Sequence, residues 1–304
     1  MASSKSKISI RDLIRALRLP FITASVFPFL FGSLIERTNF SFTSFVLGLL
    51  SVIFTHLGAN LINDYADSKS GVDWHDRKFY RFFGGSKLIQ QGILPERFYL
   101  GASFVCFSLA SFSIIALTLI LKNVATIVYF MVIVGLGVCY SHRPFRFSYH
   151  RLGEFIIFLL FGPAPVMGAY FIQTQAFPTL KSFLVSLPFG FFTTAILFSN
   201  EVPDYIEDSK GKKYTWVHIV GQERAFLVYY LLVFLGFLSI ALNIAFRYLG
   251  FIAIISFIFI LPALRAGAIL KTYPHDKIRL IESSQITIAL QALVSIVLLI
   301  DILL

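Results

Sequence analysis

Long apolar runs alternate along this chain with polar breaks of very unequal length. Nine runs are apolar for long enough to cross a bilayer, or nearly so: about 19–36, 41–62, 98–121, 124–140, 152–172, 181–199, 225–246, 247–265 and 284–304. Breaks on one side of the presumed membrane are a few residues each, whereas 63–97 and 200–224 are long. Loops of that length without internal structure are uncommon in compact proteins, so short helices are expected in both, capping the span ends. Residues 8–18 set Ile10, Leu13, Ile14 and Leu17 against Arg11, Arg15 and Arg18, the pattern of an amphipathic helix lying in the interface, and Pro20 follows it. Gly162-Pro163-Ala164-Pro165 interrupts the fifth run and predicts a kink.

Composition agrees: 57% of the 304 residues are hydrophobic and only 14% are charged, which excludes an ordinary soluble protein. Met1 to Lys7 is polar and offers no core for a cleavable signal peptide. Cys106 and Cys139 both lie inside apolar runs, so neither a disulfide framework nor a cysteine metal site is expected. The net charge of +10 raises nucleic acid as a partner, but its distribution points to a membrane instead. Of the 26 Lys and Arg, only Arg37, Lys122, Lys181 and Arg247 fall in the breaks on one side. Of the acids, only Glu36 and Asp301 do. The positive-inside rule then gives nine spans, with the N-terminus in the cytoplasm and the C-terminus outside. The expectation is an all-α polytopic bundle of nine transmembrane helices, one domain over 1–304. Its polar chemistry faces the cytoplasm, its cap loops contain short helices, and no nucleic acid is involved.

Two of the long breaks begin with nearly the same words. Asn63-Asp64-Tyr65-Ala66-Asp67-Ser68-Lys69-Ser70-Gly71-Val72-Asp73 ends the second run, and Asn200-Glu201-Val202-Pro203-Asp204-Tyr205-Ile206-Glu207-Asp208-Ser209-Lys210-Gly211-Lys212-Lys213 ends the sixth. Residues four apart share a helix face, which aligns Asn63 with Asp67 and Asn200 with Asp204 and Asp208. An ordinary helix C-terminus explains one such segment, with Gly71 as its cap, but not the recurrence. Acids at a helix C-terminus also oppose the macrodipole, a cost that a bound cation would offset. Two facing oxygen clusters suit Mg²⁺, two ions bridged by a diphosphate. Lys69, Arg143, Arg146, Lys212 and Lys213 are the candidate diphosphate ligands, each also readable as plain positive-inside charge. The motifs recur four spans apart, a weak internal repeat that transporters share.

Further segments are less specific. Tyr140-Ser141-His142-Arg143-Pro144-Phe145-Arg146 ends the fourth run on the same side as the acids. Tyr140 there is either an interface anchor or a ring and hydroxyl turned to a reacting group. His75, His142 and His150 lack metal-ligand spacing, whereas His56 lies about two turns inside the second run and is either a functional group or a partnered core histidine. Gly84-Gly85-Ser86-Lys87 falls short of a phosphate-loop pattern. The 35 Phe and 13 Tyr supply rings that would suit an isoprenoid chain and stabilise an allylic cation through their faces.

Taken together, these residues resemble the UbiA superfamily of intramembrane prenyltransferases, and its MenA-like branch, the 1,4-dihydroxy-2-naphthoate prenyltransferases, most closely. The similar stretches are Asn63 to Asp73, Gly84 to Gly92, Tyr140-Ser141 with Pro144, Leu152-Gly153-Glu154, Phe161-Gly162-Pro163, Gly168-Ala169-Tyr170 and Asn200 to Lys213. The resemblance implies that Asn63, Asp64, Asp67, Asp204 and Asp208 hold Mg²⁺ and diphosphate. Asp73 and Asn200 complete the expected metal set, and Asp67, Asp204 and Tyr140 are the catalytic candidates. Many relatives carry an acid where this chain has Gly71; the acid at Asp73 instead matches the naphthoate branch. Arg143 and Arg146 around Pro144 depart from the basic pair of many 4-hydroxybenzoate enzymes. The implied reaction joins a prenyl diphosphate to a hydrophobic or aromatic acceptor within the lipid bilayer, in menaquinone biosynthesis if the branch holds. The alternatives are an ether-lipid acceptor, geranylgeranylglyceryl phosphate, and, from another class, an ion-coupled transporter. A transporter is expected to hold carboxylates near mid-membrane, which this chain does not. A membrane phosphoalcohol transferase is disfavoured because its Asp-Gly-x2-Ala-Arg signature is absent.

Overall fold

A computed structural model describes residues 8–38 and 40–304. The expectation of no leader in Met1 to Lys7, and the charges of Lys5 and Lys7, lie outside the described residues. The chain is all-α. Seven segments are long and apolar enough to cross a membrane: Phe42–Ser70, Glu96–Leu121, Gly153–Thr174, Leu180–Glu201, Gln222–Ala245, Phe251–Thr272 and Lys277–Leu303. An eighth exists if Ile10–Ala16 and Leu19–Ser33, bent by 49° to one another, count as one. Ala125–Ser141 is apolar but has 17 residues, about 25 Å of helix against a hydrocarbon core of about 30 Å. Nine runs were expected; by length and composition, seven or eight of the described segments span.

The helices are α1 (Ile10–Ala16), α2 (Thr23–Ser33), α3 (Phe42–Ser70), α4 (Glu96–Leu121), α5 (Ala125–Ser141), α6 (Gly153–Phe161), α7 (Pro163–Thr174), α8 (Leu180–Leu184), α9 (Leu187–Glu201), α10 (Tyr205–Lys210), α11 (Val217–Val220), α12 (Ala225–Ala245), α13 (Ile260–Thr272) and α14 (Lys277–Leu303). The start of α1 follows from Ser9, whose side chain accepts from the Asp12 amide while Asp12 reaches back to the Ser9 amide, a capping box. Ile10, Leu13 and Ile14 stay exposed on it, as an interfacial helix requires. The expected kink is present: the chain breaks at Gly162, between α6 and α7. The cap is less helical than expected. Helix α3 runs on to Ser70, where Gly71 at φ +88° stops it. Only a single 3₁₀ turn, Val72–Trp74, precedes an irregular stretch in which Gly84 and Gly85 both take positive φ. The second long break does hold short helices, α10 and α11.

Helix α9 lies at the centre, with α6, α12 and α14 packed on it. Phe192 meets Phe237 of α12 edge-on at 5.1 Å, and Phe189 meets Phe31 of α2 at 5.2 Å. Tyr229 of α12 shares a 2.9 Å hydrogen bond with Thr287 of α14. Around the rim, Phe104, Phe112 and Leu119 of α4 point outward, where a bilayer rather than water is the compatible solvent. Helices α3 and α9 thus carry both motifs to one end of the bundle, on either side of a single cavity.

Candidate active site

The first motif is built on a continuous helix. Asn63 and Asp67 share a face, and the Asn63 amide donates to Ser141 Oγ and lies 3.5 Å from Asp67 Oδ2. The Tyr149 hydroxyl donates to Asp67 Oδ1 at 2.6 Å, while the Arg146 guanidinium lies 3.6 Å above the Tyr149 ring. Asp73 sits beyond the glycine stop and is ion-paired with Lys87 at 2.8 Å, both side chains buried. Asp64, expected among the metal ligands, is placed otherwise. It is buried off the cavity wall, ion-paired with Arg18 and accepting from the Ser86 amide at 3.2 Å. A position next to Asn63 is about 100° around the helix from it, so the two cannot face the same way.

The second motif is not one helix. Pro203 lacks an amide proton, α9 stops at Glu201, and α10 starts at Tyr205. The expected single face for Asn200, Asp204 and Asp208 is therefore broken, yet the turn still brings all three to the cavity wall. Asp204 Oδ2 accepts from the Gly84 amide at 2.8 Å, tying the two motifs' loops together. Asp208 Oδ1 is 3.5 Å from Lys213 Nζ. Burial pushes the Asp73, Asp204 and Asp208 carboxyls upward, because no water solvates their charge. Burial alone would lower Lys213, but Asp208 and Asp67 outweigh it and hold its ammonium well above the usual value. Asn200 Oδ1, Glu201 Oε2 and Asp208 Oδ2 are buried without a hydrogen-bond partner.

Of the five expected diphosphate ligands, the structure brings only Lys213 to the cavity. Lys69 pairs with Glu96 at 2.5 Å on an exposed surface. Arg143 and Lys212 are exposed, and Arg146 is occupied on Tyr149. Tyr140 lines the cavity. Three cations outside that expected set line it too: Arg18, Lys87 and Lys277. Lys277 bridges Asp76 at 2.9 Å and Glu207 at 3.0 Å, clasping both cap loops. Glu201 was also passed over, although it neighbours Asn200. Lys87 had a signal, the Gly84-Gly85-Ser86-Lys87 stretch; Lys277 had none.

The cavity, about 320 Å³, has two characters. Its mouth is the acid and ammonium set just described. Its body descends between Phe29, Val52, Phe130, Ile133, Leu160 and Phe161, an apolar slot inside the bundle. His56 stands in this slot, buried, with Nδ1 2.9 Å from Ser25 Oγ and its ring edge-on to Phe161. Among the described residues, no three Asp, Glu, His or Cys side chains close on one point as a metal cage.

Comparison with known proteins identifies the family and the fold. The sequence profile of the UbiA prenyltransferase family matches residues 25–281. The 1,4-dihydroxy-2-naphthoate octaprenyltransferase of Bacillus subtilis (strain 168) is 27% identical over 211 residues, covering 67% of this chain and 64% of that relative. The chain thus spans a little under two thirds of that relative's length. Among solved structures, a UbiA homolog from Aeropyrum pernix K1 superposes with a TM-score of 0.72 at 14% identity, covering 94% of this chain and 98% of the other. A UbiA homolog from Archaeoglobus fulgidus, solved bound to GPP and Mg²⁺, superposes with a TM-score of 0.59 at 16% identity, covering 95% and 99%. At these identities the two structures establish a shared fold.

Proposed function

Because the chain belongs to the UbiA prenyltransferase family, we propose that it transfers a prenyl group from a prenyl diphosphate to an electron-rich acceptor, an aromatic quinone precursor such as 1,4-dihydroxy-2-naphthoate. The observation that carries this proposal is the two-part cavity: a mouth that fits a diphosphate and a body that fits an isoprenoid tail. The Bacillus relative supports the choice of acceptor. The charge sorting supports nine spans, with Ala125–Ser141 crossing as the fourth, and a cytoplasmic N-terminus and mouth.

The donor set fits Mg²⁺. Buried oxygens without partners are costly, and Asn200 Oδ1 and Asp208 Oδ2 are such oxygens on the cavity wall. Asn63, Asp67, Asp73, Asn200, Asp204 and Asp208 would hold the metal, and Asp64 serves instead to hold Arg18. When bound, Mg²⁺ neutralises the charge that gathers on a departing diphosphate. The chain's own residues supply the rest. Lys213, Lys87, Arg18 and Lys277 surround the mouth with positive charge in a site of low dielectric, where it acts most strongly. The allylic C–O bond breaks with its electron pair going to the diphosphate. A ring carbon of the acceptor then bonds to the allylic carbon, and the proton on that ring carbon leaves. The Tyr140 ring at the cavity wall and the Phe-lined body shield the cation from water, which would otherwise capture it.

The test is Mg²⁺-dependent transfer from labelled geranylgeranyl diphosphate to dihydroxynaphthoate in one tube and to geranylgeranylglyceryl phosphate in another. Product in the first alone is expected. Product only in the second makes this an ether-lipid enzyme, and no diphosphate release in either defeats the prenyltransfer proposal.

A further inference from the structure

Beneath each motif lies a second polar residue at the same spacing. His56 precedes Asn63 by seven residues, and Thr193 precedes Asn200 by seven. Seven residues is nearly two helical turns, about 10 Å of rise, and returns to the same face. Both side chains accordingly line the cavity, each only 6% exposed. Both also carry a buried atom without a partner: His56 Nε2 and Thr193 Oγ1.

Four threonines elsewhere in this bundle behave differently, whereas Thr55 and Thr126, which also line the cavity, share the unpartnered hydroxyl. Thr118, Thr174, Thr194 and Thr287 each return their hydroxyl to the carbonyl four residues back. That is the usual refuge of a helical threonine with nothing else to bind. Thr193, next to Thr194, does not take it. The histidine tautomer depends on where the single Ser25 proton goes, and we take it to the Ile22 carbonyl. Ser25 Oγ lies 3.2 Å from the Ile22 carbonyl and 2.9 Å from His56 Nδ1. A hydroxyl has one proton. With that proton on the carbonyl, Ser25 accepts from Nδ1–H, and Nε2 is left as a bare acceptor. The apolar body of the cavity therefore contains a free acceptor at His56 and a free donor at Thr193, both where unmade hydrogen bonds cost most, and the Thr55 and Thr126 hydroxyls on its wall are likewise unpartnered.

A prenyl tail has no atom for either. A charged phosphate headgroup would have to descend about 10 Å into hydrocarbon to reach them, which is expensive. A hydroxylated ring satisfies both without a charge. We propose that His56 and Thr193 form the inner end of the acceptor subsite and that the acceptor is a hydroxylated aromatic ring. One of its O–H groups donates to His56 Nε2, and one of its oxygens accepts from the Thr193 hydroxyl. This inference rests on the prenyltransfer proposal above.

The experiment uses the full-length protein in lipid nanodiscs, as wild type and as His56→Phe, Thr193→Val and Thr193→Ser. Binding of 1,4-dihydroxy-2-naphthoate is followed by its own fluorescence polarisation without prenyl diphosphate, and KM is then measured for each substrate. His56→Phe and Thr193→Val should each weaken naphthoate binding about five- to tenfold, the loss of one neutral hydrogen bond. The KM for prenyl diphosphate should stay within about twofold, and Thr193→Ser should restore binding. Thr193→Val is isosteric, so a His56→Phe protein that fails to fold leaves the inference testable. Unchanged naphthoate binding in Thr193→Val overturns it, as does a change confined to prenyl diphosphate KM or to chain-length preference. A wild type that transfers prenyl groups but does not bind the naphthoate overturns it while leaving prenyltransfer intact. A wild type without Mg²⁺-dependent transfer removes both.

Discussion

The two acidic motifs read almost alike and are bonded in opposite ways. In the first, each carboxylate already has a protein partner: Asp64 has Arg18, Asp67 has Tyr149, and Asp73 has Lys87. In the second, Asn200, Glu201 and Asp208 each keep a buried oxygen with no partner. The difference begins with Gly71 and Pro203. Gly71 lets the first motif run as helix and then turn back, so Asp73 can meet Lys87. Pro203 breaks the second early and leaves its acids on a turn and a short helix, with Lys213 at 3.5 Å from Asp208. In the first motif each carboxylate is thus partnered by the chain, whereas the second, although Lys213 and Lys277 reach Asp208 and Glu207, keeps three oxygens open for the ligand proposed above, Mg²⁺. A sequence repeat does not guarantee an electrostatic one.

Removing that ligand should have the largest effect. Excess chelator should abolish transfer, and Mg²⁺ should restore it; turnover that survives chelation would end the metal proposal. Asp204→Asn and Asp208→Asn come next, each lowering kcat by about 10²- to 10³-fold, as expected for the loss of a group that stabilises developing charge. Asp208→Asn sharpens the comparison further. It removes a buried carboxylate that has one unpartnered oxygen, while Asp67 stays close enough to hold the Lys213 charge, so the metal-free variant should melt close to wild type even as activity is lost. A large drop in its melting temperature would show that the second motif is as self-sufficient as the first.

The converse holds for the first motif. Lys87→Met strands the Asp73 carboxylate, buried and without its partner, and should cost about 3 kcal/mol of stability. Adding Asp73→Asn should recover most of that, because the stranded charge is what costs. Thermal melting of the single and double variants decides it. Equal melting of Lys87→Met and wild type would mean that water in the mouth already solvates Asp73.

Much of this site was legible in the sequence wherever a single helix decides the geometry. Asn63 and Asp67 face one way because they are four apart on an unbroken α3, and the Gly162 break falls where glycine and proline coincide. The break at Pro203 was equally legible and has the same cause as that kink, a missing amide. Arg18, Lys277 and the Asp76–Lys277–Glu207 clasp were not legible, since partners 201 residues apart meet only through packing. Nor could apolar periodicity show where spans break internally: a bilayer-facing helix is apolar nearly all round, so the divisions between α8 and α9 and between the 3₁₀ segment Phe251–Phe259 and α13 leave no trace in it.

The smallest effect tests the diphosphate ligands themselves. Lys69 follows Asp67 by two residues, about 200° around α3, so the helix that aims Asp67 at the cavity aims Lys69 away from it. Its ammonium meets Glu96 on an exposed surface, where water and salt screen the pair. Lys69→Ala should therefore change kcat/KM by less than about twofold, and Arg143→Ala and Lys212→Ala, both at exposed residues, should do the same. Lys213→Ala removes a partly buried cation facing Asp208 and should cost about 10²-fold. Activity assays on the four variants separate charge that merely faces the cytoplasm from charge that meets substrate. If Lys69→Ala proved as damaging as Lys213→Ala, the first motif would have to present its basic residue to the diphosphate as well, and the contrast between the two motifs would collapse.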